Sequence, residues 1–150
     1  MIRTLLLLAL IAPICRAQRT LDTLVGTSRI LLVFAPSDQD LRYPQQFALL
    51  ATHSAEMKQR DLLVLPLLLQ SGPAVTPAVL GSAVGPAMPD KEATLTRHRF
   101  HIASKDFVAI LVGKDGGEKF HSCRPVSLQQ LIQLIDAMPM RQEEMRRSGH

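Results

Sequence analysis

The stretch Arg29-Ile30-Leu31-Leu32-Val33-Phe34-Ala35-Pro36-Ser37-Asp38-Gln39-Asp40 decides the fold of this 150-residue chain. Its first half is a continuous apolar run that follows Gly26-Thr27-Ser28, and its second half is a polar segment with a proline. A short apolar run between turn residues is typical of a strand that is buried on both faces. We therefore predict a central strand that ends in a polar loop.

The next segments predict a helix, a second strand, a loop and a short helix. Asp61 to Gln70 is the second strand, which Pro66 should confine to an edge position, a bulge or an early end. Ser71 to Asp90 is rich in Pro, Gly, Ala and Val and predicts a long irregular loop, and Glu92 to Phe100 predicts the short helix. The first helix is predicted from apolar or small residues at three- and four-residue spacing, namely Phe47, Leu50, Ala51, Ser54 and Met57.

The last third of the chain predicts a β-hairpin followed by a helix. Phe107 to Val112 is apolar, Gly113 to Gly117 is a turn, and Glu118 to Cys123 alternates between polar and apolar residues. Ser127 and Gln130 have the spacing of a capping box in front of an apolar helical face. Pro139 should end that helix, and we expect a charged, frayed chain end from Arg141 to His150.

The predicted order of elements is therefore β-α-β-α-β-β-α. A helix joins the first two strands, which should be parallel, whereas a tight turn joins the last two, which should be antiparallel. A mixed central sheet with helices on its faces is an α/β three-layer sandwich of the thioredoxin-like kind. We assign residues 18–146 to this single domain and residues 147–150 to a flexible tail.

Residues 1–17 predict a secretory signal peptide. Arg3 supplies a positive charge, Leu5 to Ile11 form a short apolar run, and Cys15-Arg16-Ala17 resembles a cleavage site. The run is shorter than the roughly 20 apolar residues that a membrane-spanning helix needs. An uncleaved anchor and a buried N-terminal helix are the alternatives. Cleavage predicts an extracytoplasmic domain, periplasmic or secreted, without stable insertion into the membrane.

Removal of residues 1–17 would leave 15 basic residues against 13 acidic ones, a net charge of +2. A nearly neutral domain gives no indication of a nucleic-acid partner, and none is expected. Cys123 would be the remaining cysteine, so an internal disulfide is excluded. We expect neither a cofactor nor a metal, because His121-Ser122-Cys123 lacks the paired ligand spacing of a structural zinc site.

The loop after the first strand lacks the residue that thiol-disulfide chemistry needs there. A thioredoxin-like redox enzyme keeps a cysteine at this helix N-terminus, usually in a Cys-x-x-Cys motif. The stretch Ala103 to Asp106, in front of the third strand, also lacks the proline that thioredoxins place there in the cis form. Ser37, Asp38 and Asp40 are candidates for a polar ligand-binding site, and capping and turn formation are their alternative roles.

Cys123 is the alternative redox residue. Without a second thiol to resolve an oxidised form, it fits at most a one-cysteine peroxidase or a related redox enzyme.

Two other clusters have both a structural and a binding interpretation. The basic run Arg97-His98-Arg99 is either a solvated helix face or a contact for an acidic partner, and Met138, Met140 and Met145 either pack at the chain end or form an adaptable surface.

Four segments together resemble a domain-of-unknown-function family of secreted bacterial proteins. They are Arg29 to Ser37, Gln59-Arg60-Asp61, Val112 to Gly117 and, most specifically, Leu134 to Met145. The resemblance covers about residues 20 to 146. A similar domain is found in sushi-repeat-containing extracellular proteins of vertebrates, and the family is described as peroxiredoxin- or thioredoxin-like.

The resemblance implies a thioredoxin-like fold and a place outside the cytoplasm, and it transfers no catalytic residue. The relatives' link to extracellular matrix and adhesion points towards binding. Taken with the missing thiol, this predicts a non-catalytic domain that binds an unidentified extracytoplasmic protein or polymer.

Overall fold

The computed structural model describes residues 21–70, 83–85 and 88–149. The predicted signal peptide and most of the predicted loop between Ser71 and Asp90 lie outside the described residues. No helix in the described part is long and apolar enough to cross a membrane. In chain order the elements are α1 (Leu21–Leu24), β1 (Arg29–Ser37), α2 (Arg42–Ala48), α3 (Ser54–Gln59), β2 (Leu62–Gln70), α4 (Asp90–Arg99), β3 (Val108–Val112), β4 (Glu118–Ser122), α5 (Leu128–Asp136) and α6 (Pro139–Arg147).

The strands form a mixed sheet in the order β2-β1-β3-β4, which confirms the predicted topology. β1 and β2 run parallel, with Arg29 beside Leu62, whereas β3 is antiparallel to both β1 and β4. Pro66 lies in β2, at the edge of this sheet, and pairs with Val33 of β1. β2 continues past the proline to Gln70. The structure confirms the edge position, one of the three predictions for Pro66. A proline is tolerated there because its missing N–H group removes no hydrogen bond to an inner strand.

β1 is buried on both faces, as its apolar run predicts. Leu31, Val33 and Ala35 point into one core, which side chains of α2, α3 and α5 complete. Ile30, Leu32 and Phe34 point into a second core with side chains of α1 and α4. Alternate residues of a strand face opposite sides of the sheet, so one short segment anchors both helical layers. The three-layer α/β sandwich is confirmed.

The segment predicted as one helix from its apolar spacing forms two helices, α2 and α3. Between them, the amide groups of Leu50 and His53 donate to the carbonyl groups three residues earlier, Phe47 and Leu50. These tight turns interrupt the α-helical pattern while Leu50 remains fully buried in the first core. The spacing correctly identified Phe47, Leu50 and Met57 as buried, whereas Ala51 is only partly buried and Ser54 is exposed.

Arg141 to Arg147 are helical rather than frayed, so that expectation is wrong for these residues. Pro139 follows α5 as predicted, but it also occupies the first turn of α6, where a proline is well tolerated. The capping box of Ser127 and Gln130 at the start of α5 is confirmed. α6 contributes no buried side chain, and its attachment to the domain is through charged groups.

Candidate functional site

The loop between β1 and α2 lies at the carboxyl end of β1, where the sequence places its candidate ligand-binding residues. Ser37 is the last residue of β1, and its hydroxyl oxygen accepts a hydrogen bond from the Gln39 amide at 3.3 Å. Asp38 accepts a hydrogen bond from the Gln39 side chain, also at 3.3 Å. Both residues are half-buried and bonded within the loop, an arrangement typical of turns.

Asp40 is bonded to Arg42 rather than free to receive a ligand. Its carboxylate accepts hydrogen bonds from the Arg42 backbone amide at 3.0 Å, from Nε at 2.9 Å and from Nη2 at 2.6 Å. The side-chain bond from Arg42 holds the pKa of Asp40 below its ordinary value, against the opposing effect of burial. The carboxylate therefore stays charged and satisfied at the entrance to α2.

Tyr43 lies directly behind this loop and is a residue that the sequence analysis missed. It is buried, and its ring packs against Phe47 in an edge-on arrangement with the ring centres 4.9 Å apart. Burial, followed by the negative charge of Asp38, raises the pKa of Tyr43 to about 12. The phenol therefore stays neutral, and it can donate a proton to a hydrogen bond but cannot serve as a base near neutral pH.

Cys123 lies at the same end of the sheet as the β1–α2 loop. Phe34 of β1 pairs with Val108, and Ser122 of β4 pairs with the next residue, Ala109. Cys123 therefore follows β4 two strands away from the end of β1, a separation of roughly 10 Å at the usual strand spacing. Its thiol is exposed and free. β4 ends at Ser122, one residue earlier than predicted, so Cys123 lies just beyond the strand.

Arg42 connects the loop with the surroundings of Cys123. Its guanidinium lies 5.4 Å from the ring centre of Phe107, the residue before β3. The hydrogen bond with Asp40 raises the pKa of Arg42 against the opposing effect of burial, and the negative charge of Asp106 acts in the same direction as the hydrogen bond. Its sequence position, two residues after Asp40, was the signal that could have identified it.

Within the basic run on α4, Arg97 does not fit the solvated-face interpretation, because it is buried. It is 3% exposed, and its guanidinium donates to the carbonyl oxygens of Ala35 at 2.6 Å and Ala103 at 2.9 Å. Burial lowers its pKa, and the charge of Asp106 partly offsets that effect. Arg97 thus joins the end of β1 to the loop before β3, while its neighbours His98 and Arg99 are exposed.

The opposite, amino-terminal end of β1 carries a network of ion pairs that the sequence analysis also missed. Arg29 is 1% exposed, and it donates to both carboxylate oxygens of Glu144 at 3.1 Å and to the Arg60 carbonyl oxygen at 2.9 Å. Lys114 bridges Glu144 at 2.7 Å and Asp61 at 2.8 Å. We call these residues, together with Asp136 and Arg141, the amino-end network.

Asp136 and Arg141 complete this network at the junction of α5 and α6. Arg60 donates to both oxygens of Asp136, at 3.0 and 2.7 Å. Arg141 lies within 3.5 Å of both Asp136 and Glu144. Among the described residues, no group of three or more His, Cys, Asp or Glu side chains could hold a metal ion.

The chain belongs to the family described as a domain of unknown function (DUF4174), which matches residues 20–144. It is 30% identical over 129 residues to the rat sushi repeat-containing protein SRPX, covering 86% of this chain and 27% of the relative. It is 30% identical over 125 residues to zebrafish coiled-coil domain-containing protein 80, covering 78% of this chain and 14% of the relative. The chain therefore spans about a quarter or less of these relatives.

Solved structures with the same fold include redox proteins. The reduced 2-Cys peroxiredoxin of Plasmodium vivax has a TM-score of 0.61 at 14% identity, covering 82% of this chain and 84% of that one. A Chlorobium tepidum protein described as a putative thiol:disulfide interchange protein, DsbE, has a TM-score of 0.55 at 16% identity, covering 77% and 84%. At this level of identity the similarity shows the thioredoxin-like fold alone.

Proposed function

We propose that this domain is a non-catalytic binding domain that acts outside the cytoplasm on an extracytoplasmic protein or polymer. The observation that carries the proposal is the composition of the β1–α2 loop. It has no thiol, and the side chains of Ser37, Asp38 and Asp40 are hydrogen-bonded within the loop or to Arg42. The signal-peptide pattern of residues 1–17 supports the extracytoplasmic location.

The test compares peroxide consumption by the purified protein, by its Cys123→Ser variant and by free glutathione. For a binding domain we expect the wild-type protein to react no faster than glutathione, because a catalytic thiol needs an activating environment. Rapid peroxide consumption that disappears in Cys123→Ser would overturn the proposal.

The second candidate is a one-cysteine peroxidase that uses Cys123. The Cys123 thiolate would be oxidised to a sulfenic acid while the peroxide is reduced to water, and an external thiol would restore the cysteine. The position of Arg42, a positive charge over Phe107 at the same end of the sheet as Cys123, favours this alternative. It predicts that Arg42→Ala slows peroxide consumption, whereas Lys119→Ala, in the hairpin, leaves the rate unchanged.

A further inference from the structure

A cavity of about 310 Å³ lies at the amino-terminal end of the sheet, beside the amino-end network. One side is formed by Arg29 and by the turn at Gly113 and Lys114, and the other by Met138, Pro139 and Met140. Ligand pockets usually measure roughly 300 to 1,000 Å³, so this cavity suits one small molecule rather than a large cofactor.

More cations than carboxylates line the cavity, and each of these cations is paired with a carboxylate: Glu144, Asp61 or Asp115. Arg29, Lys114 and Lys119 contribute three cations, against the single carboxylate of Asp115. Their positions are fixed by bonds on the protein side, since Glu144 holds Arg29 and Lys114, and Asp115 holds Lys119 at 2.6 Å. Cations that are already ordered lose little side-chain entropy when a ligand binds, and this favours an anionic ligand.

The turn leaves room for these cations because position 113 is a glycine. A Cβ atom at Gly113 would lie 2.7 Å from Lys119 Cε and 2.7 Å from Asp115 Oδ1. The aliphatic part of Lys119 therefore crosses directly over the turn, which places its ammonium group beside the carboxylate of Asp115. The glycine thus permits the close approach that brings Lys119 to the cavity.

The opposite wall is apolar and adaptable. Met138 precedes α6, Pro139 and Met140 are its first two residues, and Met140 is 51% exposed. Methionine side chains are flexible and polarisable, so they adjust their shape to an apolar ligand. An exposed methionine that lines a concave surface has little structural role there, whereas contact with a ligand would bury it.

We propose that this cavity binds a small organic anion, with its charged group at Lys114 and Lys119 and its aliphatic body against Met138, Pro139 and Met140. The proposal rests on the binding role proposed above and gives it a ligand class and a place. It also gives a common location to the four segments that carry the family resemblance. Each contributes a residue to the network or the cavity: Arg29, Arg60, Lys114 and Glu144.

The experiment titrates the full protein with hexanoate and with the neutral amide of the same length, followed by NMR of backbone amides. We expect hexanoate to shift the resonances of Gly113 and Met140, and hexanamide to bind at least about tenfold more weakly. The absence of hexanoate binding, or equal binding of the amide, would overturn the proposal.

Two variants with the same type of substitution locate the site. Met140→Glu places a negative charge at the apolar wall and should weaken hexanoate binding at least about tenfold. Leu41→Glu introduces the same charge at an 83%-exposed leucine at the other end of β1 and should leave binding unchanged. Equal affinity of Met140→Glu and wild type would refute the location. Since peroxide consumption is measured separately, failure of this proposal leaves the non-catalytic function standing.

Discussion

The two ends of β1 are built in different ways. At the carboxyl end, the side-chain bonds of Asp38 and Asp40 join residues only one or two positions apart. At the amino end, Arg29 bonds to Glu144, 115 positions along the chain, and Arg60 bonds to Asp136, 76 positions away. The first set orders one loop, whereas the second holds distant segments together.

The β1–α2 loop is the usual place of chemistry in this fold, whereas the long-range ion pairs of this chain lie at the opposite end of β1. A loop held by local bonds can change sequence without moving the rest of the domain. A buried ion pair is costly to desolvate, and one that loses a partner leaves an uncompensated charge. The amino-end network therefore ties the position of α6 to the domain, while the β1–α2 loop retains only the backbone of a thioredoxin-like site.

The largest effect should come from removing Glu144 at the amino end. Glu144→Ala leaves Arg29 buried without its carboxylate, and we expect a loss of about 3 kcal/mol in the free energy of unfolding. Among the described residues, the neighbouring Glu143 pairs with the exposed Arg146 and Arg147, so Glu143→Ala should cost less than about 0.5 kcal/mol. Urea unfolding of both variants measures the contrast, and equal losses would contradict it.

The next largest effect tests a long-range pair of hydrogen bonds near the carboxyl end. The buried Gln46 side chain donates to the Val126 carbonyl oxygen at 2.9 Å and accepts from the Val126 amide at 2.8 Å. Gln46→Ala leaves both backbone groups unsatisfied and should cost about 2 kcal/mol. The measurement is again urea unfolding. A loss larger than that of Glu144→Ala would reverse the order of the two ends.

Acid should weaken the amino-end network in a predictable direction. Burial alone would raise the pKa of Glu144, but the bond from Lys114 and the charge of Arg29 hold it below its ordinary 4.5. A carboxyl group whose pKa is lowered by folding stabilises the protein above its unfolded-state pKa and loses that contribution as the pH falls. Stability should therefore fall as the pH drops below about 4.5, towards the lower folded-state pKa.

Glu144→Gln removes the titrating group, so its stability should depend less on pH than that of the wild-type protein between neutral pH and pH 3. Asp136→Asn should act in the same direction. The pKa of Asp136 is also lowered: burial opposes this, but the bond from Arg60 prevails. Thermal unfolding across this pH range provides the measurement. Parallel pH profiles for the three proteins would contradict the role of the network.

The smallest effect belongs to the β1–α2 loop. Asp38→Asn removes a negative charge that opposes ionisation of Tyr43, so the pKa of Tyr43 should fall slightly below about 12. The chain has one tyrosine and no tryptophan, so its ultraviolet absorbance titration reports this residue alone. Asp115→Asn, in the hairpin turn, should leave the midpoint unchanged. Circular dichroism at each pH verifies that the protein remains folded.

The elements that local patterns control were predicted well. The apolar run of β1, the turn from Gly113 to Gly117 and the capping box at Ser127 depend on residues within a few positions of one another, and all three are confirmed. Pro66 gave the edge position of β2 for a similar reason, because a missing amide donor restricts where a strand can lie.

The misinterpreted segments depend on distant contacts. Arg97 belongs to a basic run that looks solvent-exposed, yet the carbonyl groups of Ala35 and Ala103 enclose it. The chain end looks frayed because α6 has no apolar face to bury, and its docking depends on Arg29 and Lys114 far away in the sequence. The sequence correctly placed Ser37, Asp38 and Asp40 at the carboxyl end of β1, because the apolar run shows where that strand ends. Their ligand-binding role stays a prediction.

The sequence by itself determined the four strands, their order and the absence of a thiol from the β1–α2 loop, because periodicity, turn residues and residue type are local properties. Tertiary structure alone decided which charges meet. The fold placed Cys123 at the same end of the sheet as the β1–α2 loop, two strands from β1, and brought Arg29, Lys114 and Glu144 together around the opposite end. Electrostatic partners depend on distance in space, and only the folded sheet sets those distances.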